Sequence, residues 1–499
     1  MSAAVKICGL EEWAREVTSG SSIAVGGFGF SGVPFELLGR IAAEGEAQRL
    51  TLVTASCSGE DCGIGSLIAR GMVDKVISAF VAENRVFSEA FHDGCFCLEL
   101  CPMGTLVDRL TAGGTGMKAF YTTTGVGTVL VNGGVPQRYS SVDKGVVTEF
   151  SQPRETRLID GEWCCMDTAL KTDVALIKAW KGDKHGNLIF HATARNFNIA
   201  AAKSAKLCVA QVEELVECGE LDPNFIHLPG VYVHCLVCVP HPFTKIEHLK
   251  LRDAGGVSPE QHESPKCRMA RRAALEVEDG MVVNLGVGTP TLASSYIPES
   301  RDVVVMAGNG LMGIGRFPLN QEEVDPDVLN ASKQTVTVNR AVGPCFLDFV
   351  DAMGITRGGH VDLALLGAME VAENGDLANW IVPGKHVSGM GGGMELVQNS
   401  RRVVVLTHHT NKDGTPKIVK RCQAPLTAKG VVHRIITELA VFDVVKSKIS
   451  PDLDHLLLVE LAAGVSEDHV REKTGAPFLV SPLLKTIPLA PVLDETHGQ

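Results

Sequence analysis

Short apolar runs separated by glycine-rich turns recur along most of the chain, and they predict buried strands that alternate with helices. The first run covers 22–25; it breaks at Gly26 and Gly27 and resumes after Pro34, where 35–43 has helical spacing and Pro34 suits a first helical turn. Residues 50–55 and 75–82 are short, β-branched and apolar at successive positions, the pattern of a parallel sheet covered on both faces. A further strand is predicted at 173–179, before the turn from Trp180 to Asn187, and a first helix at 11–17.

From about Pro240 to Lys266 the pattern lapses into a basic, proline-punctuated stretch that reads as a linker. The pattern then restarts. Residues 269–277 are helical, and Gly280 through Pro290 echo Gly20 through Pro34: an apolar run, a glycine turn, a proline and a helix. The echo predicts an α/β protein of two similar open domains fused in one chain, with mostly parallel sheets and a site between them. The boundaries are an N-terminal domain over 1–240, a linker over 241–266 and a C-terminal domain over 267–499.

Composition narrows the function classes. A net charge of −12 without a lysine- or arginine-rich run excludes a nucleic-acid surface. The longest apolar runs, about ten residues, fall short of the roughly 20 that span a bilayer, so no membrane partner is expected. The N-terminus lacks the charged and apolar regions of a secretory signal and is poor in arginine, leaving little room for a mitochondrial presequence. Fifteen cysteines are scattered singly or in tight pairs. Only Cys235 and Cys238 have metal-like spacing, with no second pair to complete four zinc ligands, so reduced core thiols and no metal are expected.

Gly27, Gly29 and Gly32 satisfy GxGxxG between a strand and a helix, which in a dinucleotide fold places a pyrophosphate at the helix start. That fold also needs an acid at the end of the second strand, where this chain has Val53 through Ser56. The motif alone is weak.

A stronger signal lies at Val303 through Pro318, where an apolar run opens into a bend carrying Asn309, Gly310, Gly313 and Gly315. Together with Asp376 through Lys385 and Gly389 through Leu396, it resembles the active-site region of family I coenzyme A transferases, and among them the succinyl-CoA:3-ketoacid group. Further marks are Gly26 through Pro34, Gly113 through Gly116 followed by Phe120 to Thr122, Lys178 through Lys181, Ala194 through Asn198, and Arg357 through Asp362. The resemblance spans nearly the whole chain, from about Ser22 to Pro482.

It implies CoA transfer between succinyl-CoA and acetoacetate or another short acid, in a homodimer with CoA or acyl-CoA as substrate and no permanently bound cofactor. It also implies a mitochondrial location, set against an N-terminus that leaves a cytoplasmic one equally open. In such enzymes a glutamate attacks the thioester and carries the acyl group and then CoA, while a glutamine amide and a backbone N–H meet the oxyanion. The resemblance assigns the nucleophile position to Gly308, the glutamine position to Met103 and the backbone donor to Gly392. It assigns the substrate and CoA site to Gly27, Gly29, Ala55, Ser56, Glu83, Asn309, Gly310, Asn379, Lys385, Gly389 and Gly391.

The departures are chemical. Gly308 has no carboxylate, the Met103 thioether donates no hydrogen bond, and Ala55 and Ser56 stand where the family has two asparagines. Substitute nucleophiles are Glu83, read as structural or substrate-orienting, and Cys57, which has no adjacent histidine to activate it. His360 and Asp362 read as hydrogen-bonded scaffold, and Asn379 and Trp380 as pins of the site loop. Three alternative functions follow: a CoA transferase with impaired chemistry; an inactive CoA-binding, regulatory or structural homologue, alone or as the heterodimeric partner of an active paralogue; or an acyl-CoA thioester hydrolase using water in the gap at Gly308.

Overall fold

The computed structural model describes residues 5–57, 59–81, 84–252, 259–298, 300–382, 386–447, 449–450 and 453–493. Two large sheets organise the chain. The first runs Lys6–Ile7, Cys235–Cys238, Ala205–Val216, Thr172–Asp183, Ser22–Val25, Leu50–Ser56, Val73–Phe80, Cys97–Leu100, with every neighbouring pair parallel. Leu188–Ile189 folds back antiparallel on Thr172–Asp183. The central strands carry side chains such as Ile23, Leu52, Val76 and Leu176 at zero exposure, as a sheet covered on both faces requires.

The second sheet has ten strands, and its middle five (Val304–Met306, Val282–Leu285, Leu363–Leu366, Arg402–Leu406, Arg434–Ile436) are parallel. Its flanks turn antiparallel: Leu311–Met312 and Cys345–Phe346 on one side, Ala440–Val445 and His455–Leu461 on the other. The architecture is α/β with mostly parallel sheets.

The halves share core. The helix Phe349–Arg357, which precedes a strand of the second sheet, drives Phe349 edge-on against Phe28 at 5.6 Å and Phe197 at 6.3 Å, both from the first half. Trp380, Met390 and Met394 sit in an apolar cluster built mainly from the first half. The candidate site lies on this seam.

Three local expectations fail. Residues 11–17 form only a 3-10 turn, Ala14–Glu16, because no side chain caps its start and the segment is too short to hold a helix unaided. The helix expected at 269–277 is Pro265–Ala274: Ser264 caps it, accepting the Cys267 N–H at 3.4 Å, and Pro265 opens its first turn. It therefore begins inside the predicted linker. The rest of that stretch is anchored where described, with the Phe243 N–H donating to Glu36 at 2.6 Å and Glu247 paired with Lys333 at 2.7 Å; residues 253–258 lie outside the described residues. The helix expected after Pro290 is a 3-10 helix, Thr289–Tyr296.

Cysteine chemistry differs in one place. Cys8 and Cys235 are joined as a disulfide beside the parallel pair formed by the first strand and Cys235–Cys238, so these two are not free core thiols. Within that strand Cys235 is buried and Cys238 exposed, because residues three apart on a strand leave opposite faces; the pair does not converge on one ion.

Candidate active site

The strand Val304–Met306 ends in a tight turn: Gly310 N–H donates to the Ala307 carbonyl at 3.1 Å, and Ala307 N–H to the Leu311 carbonyl at 2.8 Å. Gly308 and Asn309 are its corners. Gly310 holds φ at +100°, and a Cβ there would stand 2.1 Å from the Leu347 carbonyl oxygen, so the position demands glycine. Asn309 is 2% exposed; its Nδ2 donates to the Leu329 carbonyl at 2.8 Å, and its Oδ1 has no partner among the described residues. Gly308 is different. Its backbone is not left-handed, and among the described residues a Cβ would meet one atom within 4 Å, Cε of Met353 at 2.8 Å.

The Ser388–Gly393 loop faces this turn. Val81 N–H donates to the Ser388 carbonyl at 2.8 Å, Gly391 N–H to Ala79 at 2.9 Å and Met103 N–H to Gly391 at 2.8 Å. The loop thus lies on the carboxyl end of Val73–Phe80 and the start of the helix Met103–Thr115. Gly389, at φ +89°, permits the close approach: a Cβ would be 2.5 Å from the Ala79 carbonyl oxygen. Gly392 precedes the helix Gly393–Asn399, and its N–H has no backbone acceptor among the described residues. A Cβ on Gly392 would lie 3.4 Å from both Cε and Sδ of Met353. The tip of Met353 therefore lies beside both Gly308 and Gly392. Met353 and Met103 are 2% and 3% exposed and share an apolar cluster with Ala55 and Phe349.

Beneath the loop lies a buried polar group. Glu395, with no exposure, accepts the Thr105 N–H through Oε1 at 3.1 Å, while its Oε2 has no partner among the described residues. Burial pushes its carboxyl up to about 7, against the pull of Arg357 and the Thr105 hydrogen bond. Arg357 is one helical turn beyond Met353; it pairs with Asp108 at 2.7 Å and keeps Nη1 unpartnered among the described residues. Asp108 is raised too, by burial, despite that pair.

The other assigned residues divide clearly. Ala55 is fully buried, and Ser56 Oγ accepts the Gly29 N–H at 3.4 Å. Gly27 and its neighbours pack against protein: a Cβ at Gly27 would be 2.4 Å from Val33 Cγ2, one at Gly26 1.8 Å from Asn198 Oδ1, and one at Gly32 2.6 Å from Asn198 Nδ2. The motif's glycines thus answer to the chain's own packing. Asn379 is held by Gly367 and Thr427, and the Trp380 indole donates to the Leu426 carbonyl at 3.0 Å. Asp362 pairs with Arg401 at 2.7 Å and accepts the Val282 N–H; His360 is exposed. Burial pushes the Cys57 thiol up to about 12, which removes it as a nucleophile near neutral pH. Glu83 and Lys385 lie outside the described residues.

Sequence reading missed Met353, Arg357 and Asp108 as site neighbours, and Lys333. Lys333 is 3% exposed, paired with Glu247, its Nζ 5.4 Å from the Phe80 ring centre. Arg357 and Glu395 stood within stretches already singled out. Met353 carried no signal, since a methionine on a helix facing a core looks like filler.

The sequence matches the coenzyme A transferase family over residues 10–238 and 266–459. It is 44% identical to the mitochondrial succinyl-CoA:3-ketoacid coenzyme A transferase 2A of Rattus norvegicus, over 94% of this chain and 88% of that protein. It is 42% identical to the mitochondrial succinyl-CoA:3-ketoacid coenzyme A transferase 2 of Homo sapiens, over 95% of this chain and 90% of that protein. Among solved structures, an acyl-CoA transferase apoenzyme from Escherichia coli O157:H7 superposes with a TM-score of 0.77 at 20% identity, covering 97% of this chain and 95% of that one. With a strand-end turn and a glycine loop meeting across its seam, and with relatives of this kind along nearly its whole length, the chain belongs to the coenzyme A transferase family.

Proposed function

We propose that this chain binds coenzyme A or acyl-CoA at the seam between its halves, and that it performs the succinyl-CoA:3-ketoacid transfer of its relatives poorly or not at all. One observation carries the reading: residue 308 is a glycine with no carboxylate, and the one atom near its Cβ position among the described residues is the Met353 methyl, at 2.8 Å. Covalent transfer needs a carboxylate there and a second donor for the oxyanion. This chain offers a thioether from Met353 and another from Met103, neither a nucleophile for this reaction nor a donor. Loss of a single oxyanion donor typically costs about 10²–10³ in rate, and loss of the nucleophile removes the route. The Gly392 N–H, without a backbone acceptor among the described residues, and the glycine-rich Gly389–Gly393 loop support retained ligand binding.

The hydrolase reading is not adopted, because among the described residues no general base stands beside Gly308: the one atom near its Cβ position is the Met353 methyl. By analogy with relatives named as mitochondrial, the compartment we assign is mitochondrial, and the assembly a homodimer or a heterodimer with an active paralogue.

The test is incubation of the purified chain with acetoacetyl-CoA and succinate, trapping with borohydride and hydroxylamine, and intact-mass analysis. CoA binding without adduct or turnover is expected, and Gly308→Glu combined with Met103→Gln is expected to raise turnover. Turnover with a CoA-dependent adduct in the unmodified chain would refute the reading, and peptide mapping would name the true nucleophile.

A further inference from the structure

At the far end of the helix Gly393–Asn399, about 10 Å along its axis from the glycine loop, a cleft opens between the halves. Its volume is about 370 Å³, within the range of roughly 300–1,000 Å³ that small-ligand sites occupy. One wall belongs to the first half: Thr123, just past the strand Ala119–Thr122, and Glu162 and Trp163, which open the strand Glu162–Thr168. The other belongs to the second half: Gln398 and Asn399 at the end of the helix, and Lys429 on a loop beyond it. The site at Gly308 uses none of them.

We propose that this cleft binds an adenine nucleotide. Each part of that ligand meets a lining group suited to it. Trp163 is 58% exposed and makes no ring contact or hydrogen bond among the described residues, so a base finds a bare indole face on which to stack. Lys429 is exposed and forms no ion pair among the described residues. Its stem crosses from the second half to the first: a Cβ on Gly127 would stand 3.0 Å from its Cδ and 3.4 Å from its Nζ. The ammonium is thereby held at the cleft, where a phosphate gives it a charge-assisted partner.

The amides select the base. Gln398 makes no side-chain hydrogen bond among the described residues, and Asn399 commits only its Nδ2, which donates to the Glu395 carbonyl at 2.8 Å. A carboxamide offers an acceptor beside a donor, the complement of the adenine N6 amino group and N7; guanine shows two acceptors on that edge and matches it less well. Glu162 supplies a carboxylate for the ribose hydroxyls, the role an acid plays in dinucleotide folds. Free nucleotide and the nucleotide end of coenzyme A share this chemistry. The inference stands on the cleft's own groups and does not need the CoA-binding reading above.

The experiment titrates the full chain with ADP, GDP and adenosine by calorimetry, in the unmodified protein and in Trp163→Ala and Lys429→Met. Both side chains are exposed, so the variants are expected to fold as the parent does, and thermal melts check this. ADP is expected to bind about tenfold more tightly than GDP, and Trp163→Ala to weaken it about tenfold or more. Lys429→Met is expected to erase the preference for ADP over adenosine. Repeating the ADP titration with CoA present separates the sources: an unchanged affinity means free nucleotide, and displacement means that the nucleotide end of CoA lies in the cleft. No saturable ADP binding, equal affinity for ADP and GDP, or an ADP affinity unmoved in either variant would overturn the proposal. Failure of CoA alone to bind would overturn the earlier reading and leave this one standing.

Discussion

Glu395→Gln is expected to stabilise this protein above neutral pH, and by an amount the structure sets. The carboxyl is fully buried, one oxygen accepts the Thr105 N–H, and the other has no partner among the described residues. Its pKa rises from an ordinary 4.5 to about 7, with burial the leading cause. Between those values the folded chain holds a proton that the unfolded chain has released, so stability falls as pH rises through this window. The displacement is about 2.5 pH units; at roughly 1.4 kcal/mol per unit it is worth about 3 kcal/mol above pH 8. Glutamine imitates the protonated acid, and its amide oxygen can still accept from Thr105. The assay is thermal unfolding from pH 5 to pH 9, followed by circular dichroism. Near pH 5 the variant should match the parent; at pH 8.5 it should melt higher by roughly 6–10 °C if a cooperative unit of about 200 residues unfolds. A milder slope of the same sign should persist in the variant, because burial also raises Asp108. If parent and variant melt in parallel across the whole range, Glu395 is not carrying a buried charge and the seam's polarity has been misread.

Two further outcomes follow from the same geometry. Gly308→Glu should fold, at a cost of about 1–3 kcal/mol, since its new Cβ meets only the flexible tip of Met353, whereas Gly310→Ala should be severely destabilised by a 2.1 Å approach to the Leu347 carbonyl at a left-handed φ; comparative melts decide, and equal losses would refute the distinction. Cys57, buried and pushed up to about 12, should resist alkylation by iodoacetamide at pH 8 in the native chain while exposed Cys95, Cys218 and Cys345 react, as peptide mapping would show.

Much of this fold was legible because its strands obey one rule. Ser22–Val25 lies where its apolar run placed it, and Leu50–Ser56 and Val73–Phe80 differ from expectation only at their ends, since a strand buried on both faces leaves no ambiguity of period. The short segment at 11–17 was not legible: its helix depended on a cap and a length the residues do not supply. The start of Pro265–Ala274 was written in Ser264 and Pro265, but a basic, proline-rich context masked a capping signal of two residues. At the site, the resemblance directed attention to Gly308, Met103 and Gly392; Gly308 and Gly392 both face the tip of Met353, and Met103 packs in the same apolar cluster. Met353 itself could not be read. Its significance is the direction of a flexible thioether across a seam, and no pattern of apolar positions along a helix encodes what such a tip touches on another element.

The remaining polar groups of the seam bear on the proposal that the chemistry is lost and the architecture kept. A buried polar atom without a partner costs on the order of 1–3 kcal/mol. Among the described residues this region holds several: Oδ1 of Asn309, Oε2 of Glu395 and Nη1 of Arg357. A chain drifting freely toward stability would be expected to replace such residues first, as it could replace a carboxylate at 308 by glycine or an amide at 103 by methionine. On the proposed reading the changes are Gly308 and Met103, at the positions that the resemblance assigns to the chemistry, and the Met353 methyl lies 2.8 Å from the Cβ position of residue 308, while the unsatisfied frame stays. Such a frame is stable enough only if something else meets its polar atoms, by water or by a ligand in the loop Gly389–Gly393. The pattern therefore fits the proposed reading, a site that still recognises a polar ligand and lacks the carboxylate that would attack it.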